Sequence, residues 1–212
     1  MLDLQQRQTA TVLQTLRPGE QQAAFRVGDP HQRRHAVGEQ LEARLALAQG
    51  ALCLALLDQV GASRLSSRLK QAGTSLVLPK DEAPGLAMGL GGVGITLQDL
   101  AQLYSGLARL GATKPLREIM QENDSRDTMR LMDQAAAWQV GNVLLGTPPP
   151  ENGVHNRIAF KTGTSYGYRD AWSVGFDGRI TIGVWVGRPD GAPVPGLVGR
   201  TAAAPILFDA FA

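Results

Sequence analysis

The stretch IAFKTGTSYGYRDAWSVGFDGRITIGVWV, residues 158–186, decides the fold. Ile158 to Thr164, Ala171 to Phe176 and Ile180 to Val186 are short runs rich in β-branched and aromatic residues. Such residues suit a pleated, half-buried surface, so each run reads as a strand. Asp177-Gly178, between the second and third runs, is the dipeptide a tight hairpin favours, because glycine accepts positive φ. Beyond the strands, Thr201 to Phe211 is apolar and reads as a helix that packs on the sheet. Pro205 is tolerated in its first turn, where the missing N–H has no partner in any case.

Working back toward the N-terminus, Thr147-Pro148-Pro149-Pro150 cuts the strands off from a helical region. A helix is predicted from a Ser125 cap to about Leu145, with Met129, Met132, Ala136 and Val140 facing inward. Another starts at a Thr96 cap, with Asp99 favouring the positive helix end. Leu97, Leu100, Ala101, Tyr104, Leu107 and Ala108 follow at helical spacing until Gly111. Ser75 to Pro79 and a glycine-rich loop, Gly85 to Gly94, precede it. Ser63 is predicted to cap a short helix with Leu65 and Leu69 on one face, stopped by Gly73. Leu45 to Val60 is apolar nearly all round, which predicts a buried helix closed by Gly61. Helices followed by a hairpin and a closing helix give the α+β class, an antiparallel sheet with helices packed on one face.

Composition excludes several functions. In 212 residues, 43% hydrophobic content supplies a real core. A net charge of +2, with basic residues scattered apart from Arg33-Arg34, argues against a nucleic-acid partner. His31 and His35 stand four apart without the glutamate a zinc-hydrolase helix needs, and His155 is isolated. No metal or cofactor is expected. The one cysteine, Cys53, lies in the apolar run Ala51 to Leu57 and reads as a buried small hydrophobe. No run approaches the ~20 apolar residues of a membrane span, and Met1 to Arg7 lacks the pattern of a signal peptide. Residues 1–42, rich in Gln, Arg and Ala, form an atypical segment expected to be poorly ordered, with a short helix at Thr11 to Leu16 ended by Pro18-Gly19.

The chemistry concentrates in Lys161-Thr162-Gly163-Thr164-Ser165. In a strand Lys161 and Gly163 face one way, Thr162 and Thr164 the other. Lysine suits a carboxylate or a nearby nucleophile, and glycine lets another backbone approach. A strand edge of this kind accepts an extended peptide by strand addition. Alone, Lys-Thr-Gly is common in ordinary edge strands; here a hairpin and a closing helix follow it.

KTGTSYGYRDAWSVG, residues 161–175, resembles the third signature of the serine penicillin-recognising enzymes, which use S-x-x-K, S-x-N and K-T-G. Tyr166 to Trp172, Leu90 to Leu100 and Gly199 to Leu207 resemble the 1C branch of the bifunctional class A penicillin-binding proteins. The likeness covers about residues 52–212. It implies that residues 43–212 are the C-terminal part of a transpeptidase domain, an incomplete serine-β-lactamase-like fold. It further implies that Lys161 assists proton traffic and binds the substrate carboxylate. Thr162, Gly163, Thr164 and Ser165 would bind the peptidoglycan stem peptide or a β-lactam, with the strand backbone contributing to an oxyanion hole. A parent of this kind is anchored in the inner membrane, with this domain in the periplasm and a glycosyltransferase domain before it.

The other two signatures are not met. The single Ser-x-x-Lys, Ser67-Arg68-Leu69-Lys70, falls mid-helix and after the place where the family's Ser-x-Asn belongs. In that place stands Ala48-Gln49-Gly50, with neither Ser nor Asn. The expectation is an inactive fragment whose residues 1–50 derive from a shifted reading frame or a truncated gene. Two alternatives remain open: a non-catalytic peptide- or partner-binding module, and a divergent acyl-serine D,D-peptidase using Ser67 and Lys70.

Overall fold

A computed structural model describes residues 50–78, 82–116 and 128–212. The expectations for residues 1–42, with Thr11–Leu16, His31 and His35, and those at Ala48, Gln49, Pro79 and Ser125 lie outside the described residues. The chain divides into two compact units.

The smaller unit includes residues 50–66 and 82–93. Residues 50–60 form helix α1, and Leu86–Leu90 form a 3₁₀ turn. The turn packs on α1 at Gly89, where a Cβ would lie 3.3 Å from Leu57 Cδ2 and 3.5 Å from the Cys53 carbonyl. Gly61, at φ 87°, ends α1 as expected. The expectation of all-round burial fails. Leu57 is buried, but Leu52 is 60% exposed and Leu56 and Val60 are exposed too. Cys53 is also exposed, contrary to expectation. Apolar character all round a helix does not choose a face; among the described residues of α1, Leu57 alone is buried.

The larger unit holds Ser67–Val77 and the described part of Gly94–Ala212. Its centre is an antiparallel sheet, β3 (Ala159–Thr164), β4 (Asp170–Phe176) and β5 (Thr181–Gly187), in that order. The strands fall within a residue of their predicted bounds. The β4–β5 turn closes on Asp177, whose Oδ1 accepts the N–H groups of Arg179 and Ile180, both at 2.9 Å. Those amides, Ile180 first, hold its carboxyl below the usual carboxylate range. Gly178 takes φ 89°.

One sheet face carries Phe160, Ala171, Val184 and Val186 against α5 (Ala204–Ala210), where Leu207, Phe208 and Phe211 complete a buried cluster. The rings of Phe160 and Phe208 meet edge to face at 4.9 Å. The opposite face packs on α3 (Leu97–Ala108) and α4 (Gln134–Leu145). A Cβ on Gly183 would lie 2.8 Å from Leu97 Cδ1, and one on Gly141 would lie 3.9 Å from Phe176 Cζ. Helices therefore cover both faces, not one. The reason is in the alternation: Trp172, Val174 and Phe176 point to one face, and Ala171 with Phe160, Val184 and Val186 to the other, so both faces carry apolar residues.

Thr96 caps α3 by accepting Asp99 N–H at 3.0 Å, as expected. The helix expected from Ser125 begins at Gln134 instead, capped by Asp133, which accepts Ala136 N–H at 2.8 Å. Met129–Arg130 form a short strand, β2, paired with β1 (Ala112–Thr113), and Met132 precedes the cap. Ala137 is the buried residue of α4, whereas Val140 is exposed. The pull on this segment is long-range: Leu131 N–H donates to the Gly111 carbonyl at 2.8 Å and the Thr113 hydroxyl to the Met129 carbonyl at 3.1 Å.

Helix α2 runs Ala62–Gln71, so Ser63 lies within it. The Thr74 hydroxyl donates to the Leu69 carbonyl at 2.7 Å beyond its end, and Gly73 takes φ 83°. Before α5 comes a π-helical turn, Gly199–Ala203, where a continuous helix from Thr201 was expected. Among the described residues no helix is long and apolar enough to cross a membrane.

Candidate functional site

β3 pairs with β4 alone, and no described residue pairs with its other edge. Ser165 N–H donates to the Asp170 carbonyl at 2.9 Å, in register with the strand pairs Thr164–Ala171 and Gly163–Trp172. Bonded pairs alternate along an antiparallel ladder. Gly163 and Lys161 therefore bond inward to β4. The backbone groups of Thr162 and Thr164 point to the other edge.

Lys161 is exposed, and its Nζ donates to the Thr162 carbonyl at 2.6 Å. Thr162 and Thr164 lie on the face of Phe160, toward α5 and the π-helical turn, and Lys161 and Gly163 lie on the face of α3 and α4. Thr164 Oγ1 accepts Gly199 N–H at 3.0 Å. A Cβ on Gly163 would meet Trp172 Cβ at 3.6 Å, an ordinary contact, so packing within the chain does not demand glycine there. Ser165 serves the backbone, since its hydroxyl accepts Asp170 N–H at 2.8 Å and closes the β3–β4 turn.

That turn is tightly held. Gly167 and Tyr168 both have positive φ, 77° and 55°. Left-handed backbone is uncommon for a residue with a Cβ, and Tyr168 is held there by the flanking bonds. Its N–H donates to the Ser165 carbonyl at 3.2 Å and its carbonyl accepts Val194 N–H at 2.9 Å. At the start of β4, Asp170 Oδ1 accepts the Trp185 indole N–H at 2.9 Å. Trp185 and Trp172 then stand with ring centroids 6.3 Å apart on the Lys161 face.

Ser67 and Lys70 are both exposed on α2. Ser67 sits in the middle of that helix, and no hydrogen bond among the described residues joins the two or links either to Lys161. The structure thus assembles Lys161 to Ser165 on one strand end and leaves Ser67 and Lys70 as polar surface. His155 lies elsewhere, in a groove with Glu151, Arg200 and Asp209. No group of three metal-ligating side chains occurs among the described residues.

Gly199, Asp170 and Trp185 do not stand out as site residues in the sequence. Gly199 appears there only within a tail that resembles the family. Its contact with Thr164 spans 35 positions and leaves no local pattern.

No family model matches the chain. Penicillin-binding protein 1C of Escherichia coli (strain K12) is 40% identical over 156 residues, covering 72% of this chain and 20% of that protein. Penicillin-binding protein 1B of Vibrio cholerae is 32% identical over 75% of this chain and 22% of its own length. Penicillin-binding protein 1A of Aquifex aeolicus is 31% identical over 62% of this chain and 19% of its own length. The chain thus spans about a fifth of the length of the curated relatives it matches. Penicillin-binding protein A from M. tuberculosis, solved as an imipenem acyl-enzyme complex, superposes with a TM-score of 0.54 over 74% of this chain and 44% of that one. At 20% identity that likeness concerns the fold, and it agrees with the α+β arrangement of antiparallel strands and packed helices. The chain is homologous to the class A penicillin-binding proteins and carries a mixed α+β fold similar to that of a penicillin-binding protein.

Proposed function

We propose that this chain is the C-terminal part of a peptidoglycan D,D-transpeptidase domain, that its β3 edge receives the acyl-D-Ala-D-Ala stem peptide, and that the chain forms no acyl-enzyme by itself. One observation carries this reading: Lys161-Thr162-Gly163-Thr164 lies on a strand edge that no described residue pairs with, and the Thr162 and Thr164 backbone groups turn toward that edge. An extended peptide gains affinity there by strand addition. The Lys161 ammonium leaves the Thr162 carbonyl to meet the ligand carboxylate, exchanging a hydrogen bond to a neutral group for a charge-assisted one.

Acyl transfer needs a nucleophile activated by an adjacent base. The exposure of Ser67 and Lys70, without a hydrogen bond between them, supports the view that this pair is surface decoration of α2. By the same reading, the parent of such a domain is anchored in the inner membrane and holds the domain in the periplasm.

Incubation with a fluorescent penicillin, followed by a denaturing gel and intact mass, tests the nucleophile. Titration with diacetyl-Lys-D-Ala-D-Ala tests the edge. The expected outcome is no covalent adduct, together with peptide binding that weakens about tenfold or more in Lys161→Ala, the scale of one lost charge-assisted bond. An adduct that disappears in Ser67→Ala overturns the inactive reading in favour of a divergent acyl-serine peptidase. Binding indifferent to Lys161 overturns the edge.

A further inference from the structure

Gly199 opens the π-helical turn and is buried. Its N–H donates to Thr164 Oγ1 at 3.0 Å. It also lies directly over one rung of the sheet, the register pair Gly163–Trp172. A Cβ at this position would collide with the Gly163 carbonyl and come within 2.7 Å of the Trp172 carbonyl. Both obstacles are backbone atoms in a paired strand, so neither can swing aside. π-Helical turns are rare and widen the helix by one residue, which is how the chain brings this amide down onto the strand.

The turn is pinned from the other side. Arg200 donates through Nη1 to the Pro148 carbonyl at 3.0 Å and through Nη2 to the Pro149 carbonyl at 3.2 Å. The Thr201 hydroxyl donates to the Val198 carbonyl at 3.3 Å. Position 199 is therefore held by its own lack of a side chain and by the guanidinium next to it.

A threonine hydroxyl has one proton to donate and two lone pairs to accept with. When Oγ1 accepts from a fixed amide, its proton is directed away from that amide, and Thr164 is exposed at the strand end. We propose that Gly199 is a positioning residue, which holds the Thr164 hydroxyl as an oriented hydrogen-bond donor to an anionic or carbonyl oxygen of a peptide on the β3 edge. The inference rests on the reading of β3 as a peptide-binding edge. Gly199 itself touches no ligand. Arg200 secures its place.

The test uses the full chain and two readouts. The first is amide hydrogen exchange in the absence of ligand. Thr164→Val leaves the Gly199 amide without its acceptor, so its exchange quickens at least tenfold, while Thr164→Ser retains protection. The second is the Kd for diacetyl-Lys-D-Ala-D-Ala. Gly199→Ala and Thr164→Val weaken it about five- to tenfold, the scale of one oriented hydrogen bond, and Thr164→Ser restores it. If Gly199→Ala fails to fold, Arg200→Ala frees the turn without steric conflict and weakens binding by a smaller factor. Unchanged exchange at Gly199 in Thr164→Val overturns the clamp whatever the ligand does. Binding lost in Lys161→Ala but intact in Gly199→Ala and Arg200→Ala leaves the edge reading standing and overturns the positioning role. A wild-type chain that binds no peptide fails the edge reading, and the role of Gly199 falls with it even where the exchange result upholds the contact.

Discussion

Phe160→Ala removes the buried ring directly behind Lys161. The ring is 1% exposed and meets Phe208 edge to face at 4.9 Å, so nothing solvates the space it leaves. Truncations of this kind cost ~3–5 kcal/mol, of which the aromatic pair accounts for ~0.5–1.5 kcal/mol. Against a domain stability of ~5–15 kcal/mol this is a large fraction. The melting temperature of a chain this size should fall by roughly 6–20 °C, at ~2–4 °C per kcal/mol. Urea unfolding followed by tryptophan fluorescence measures the loss, since Trp172 and Trp185 lie on the sheet. Phe208→Ala and the double variant complete a cycle whose coupling should be about 0.5–1.5 kcal/mol or more, because the two rings also share one cavity. A loss below ~1 kcal/mol in Phe160→Ala, with no coupling to Phe208, refutes the placement of Phe160 at the centre of this core.

Three further outcomes follow from other parts of the larger unit. In Gly106→Ala, the helix gains ~1 kcal/mol of propensity, but the new methyl collides with Thr113 Cγ2, an overpacking cost of ~1–3 kcal/mol. The net change is destabilising, and Thr113→Ser, which deletes that Cγ2 while keeping the bond to the Met129 carbonyl, should recover at least ~1 kcal/mol in chemical denaturation. Burial pushes the Tyr104 hydroxyl up to about 12. The unfolded phenol ionises first, near its ordinary 10, so stability is full below that pH and falls between pH 10 and 12 by ~1.4 kcal/mol per unit at most. Tyr104→Phe should flatten this part of the stability–pH curve; an unchanged slope contradicts the assignment. Ser173 Oγ is fully buried with no hydrogen-bond partner among the described residues, so Ser173→Ala sheds a desolvation penalty and should leave stability unchanged or raised by ~1 kcal/mol. A loss of more than ~1 kcal/mol in a thermal melt refutes that.

The β-hairpin is legible in the sequence because its signals are local. Two-residue alternation, the Asp177-Gly178 turn and the proline run at 148–150 fix β3, β4 and β5 without reference to distant residues. Thr96 reads as a cap for the same reason. The start of α4 is not legible, because Ser125 and Asp133 are equally good caps by residue type. The choice is made by Leu131 and Met129 bonding back to Gly111 and Thr113, which the local pattern does not contain. Leu52, Leu56 and Cys53 show the complementary failure, since apolar character does not by itself say that a neighbour covers it. At the site, the strand bearing Lys161 declares itself through its motif. The support from Gly199 is a contact across the fold, visible only once the π-helical turn is seen on the Gly163–Trp172 rung.

The most direct measurement of the central claim is a map of backbone amide shifts as the full chain is titrated with diacetyl-Lys-D-Ala-D-Ala. Saturable changes are expected at Lys161 to Ser165 and at Gly199, with little change on α4 or at His155. Shifts centred on either of those places, or none at β3 up to saturating peptide, would contradict it.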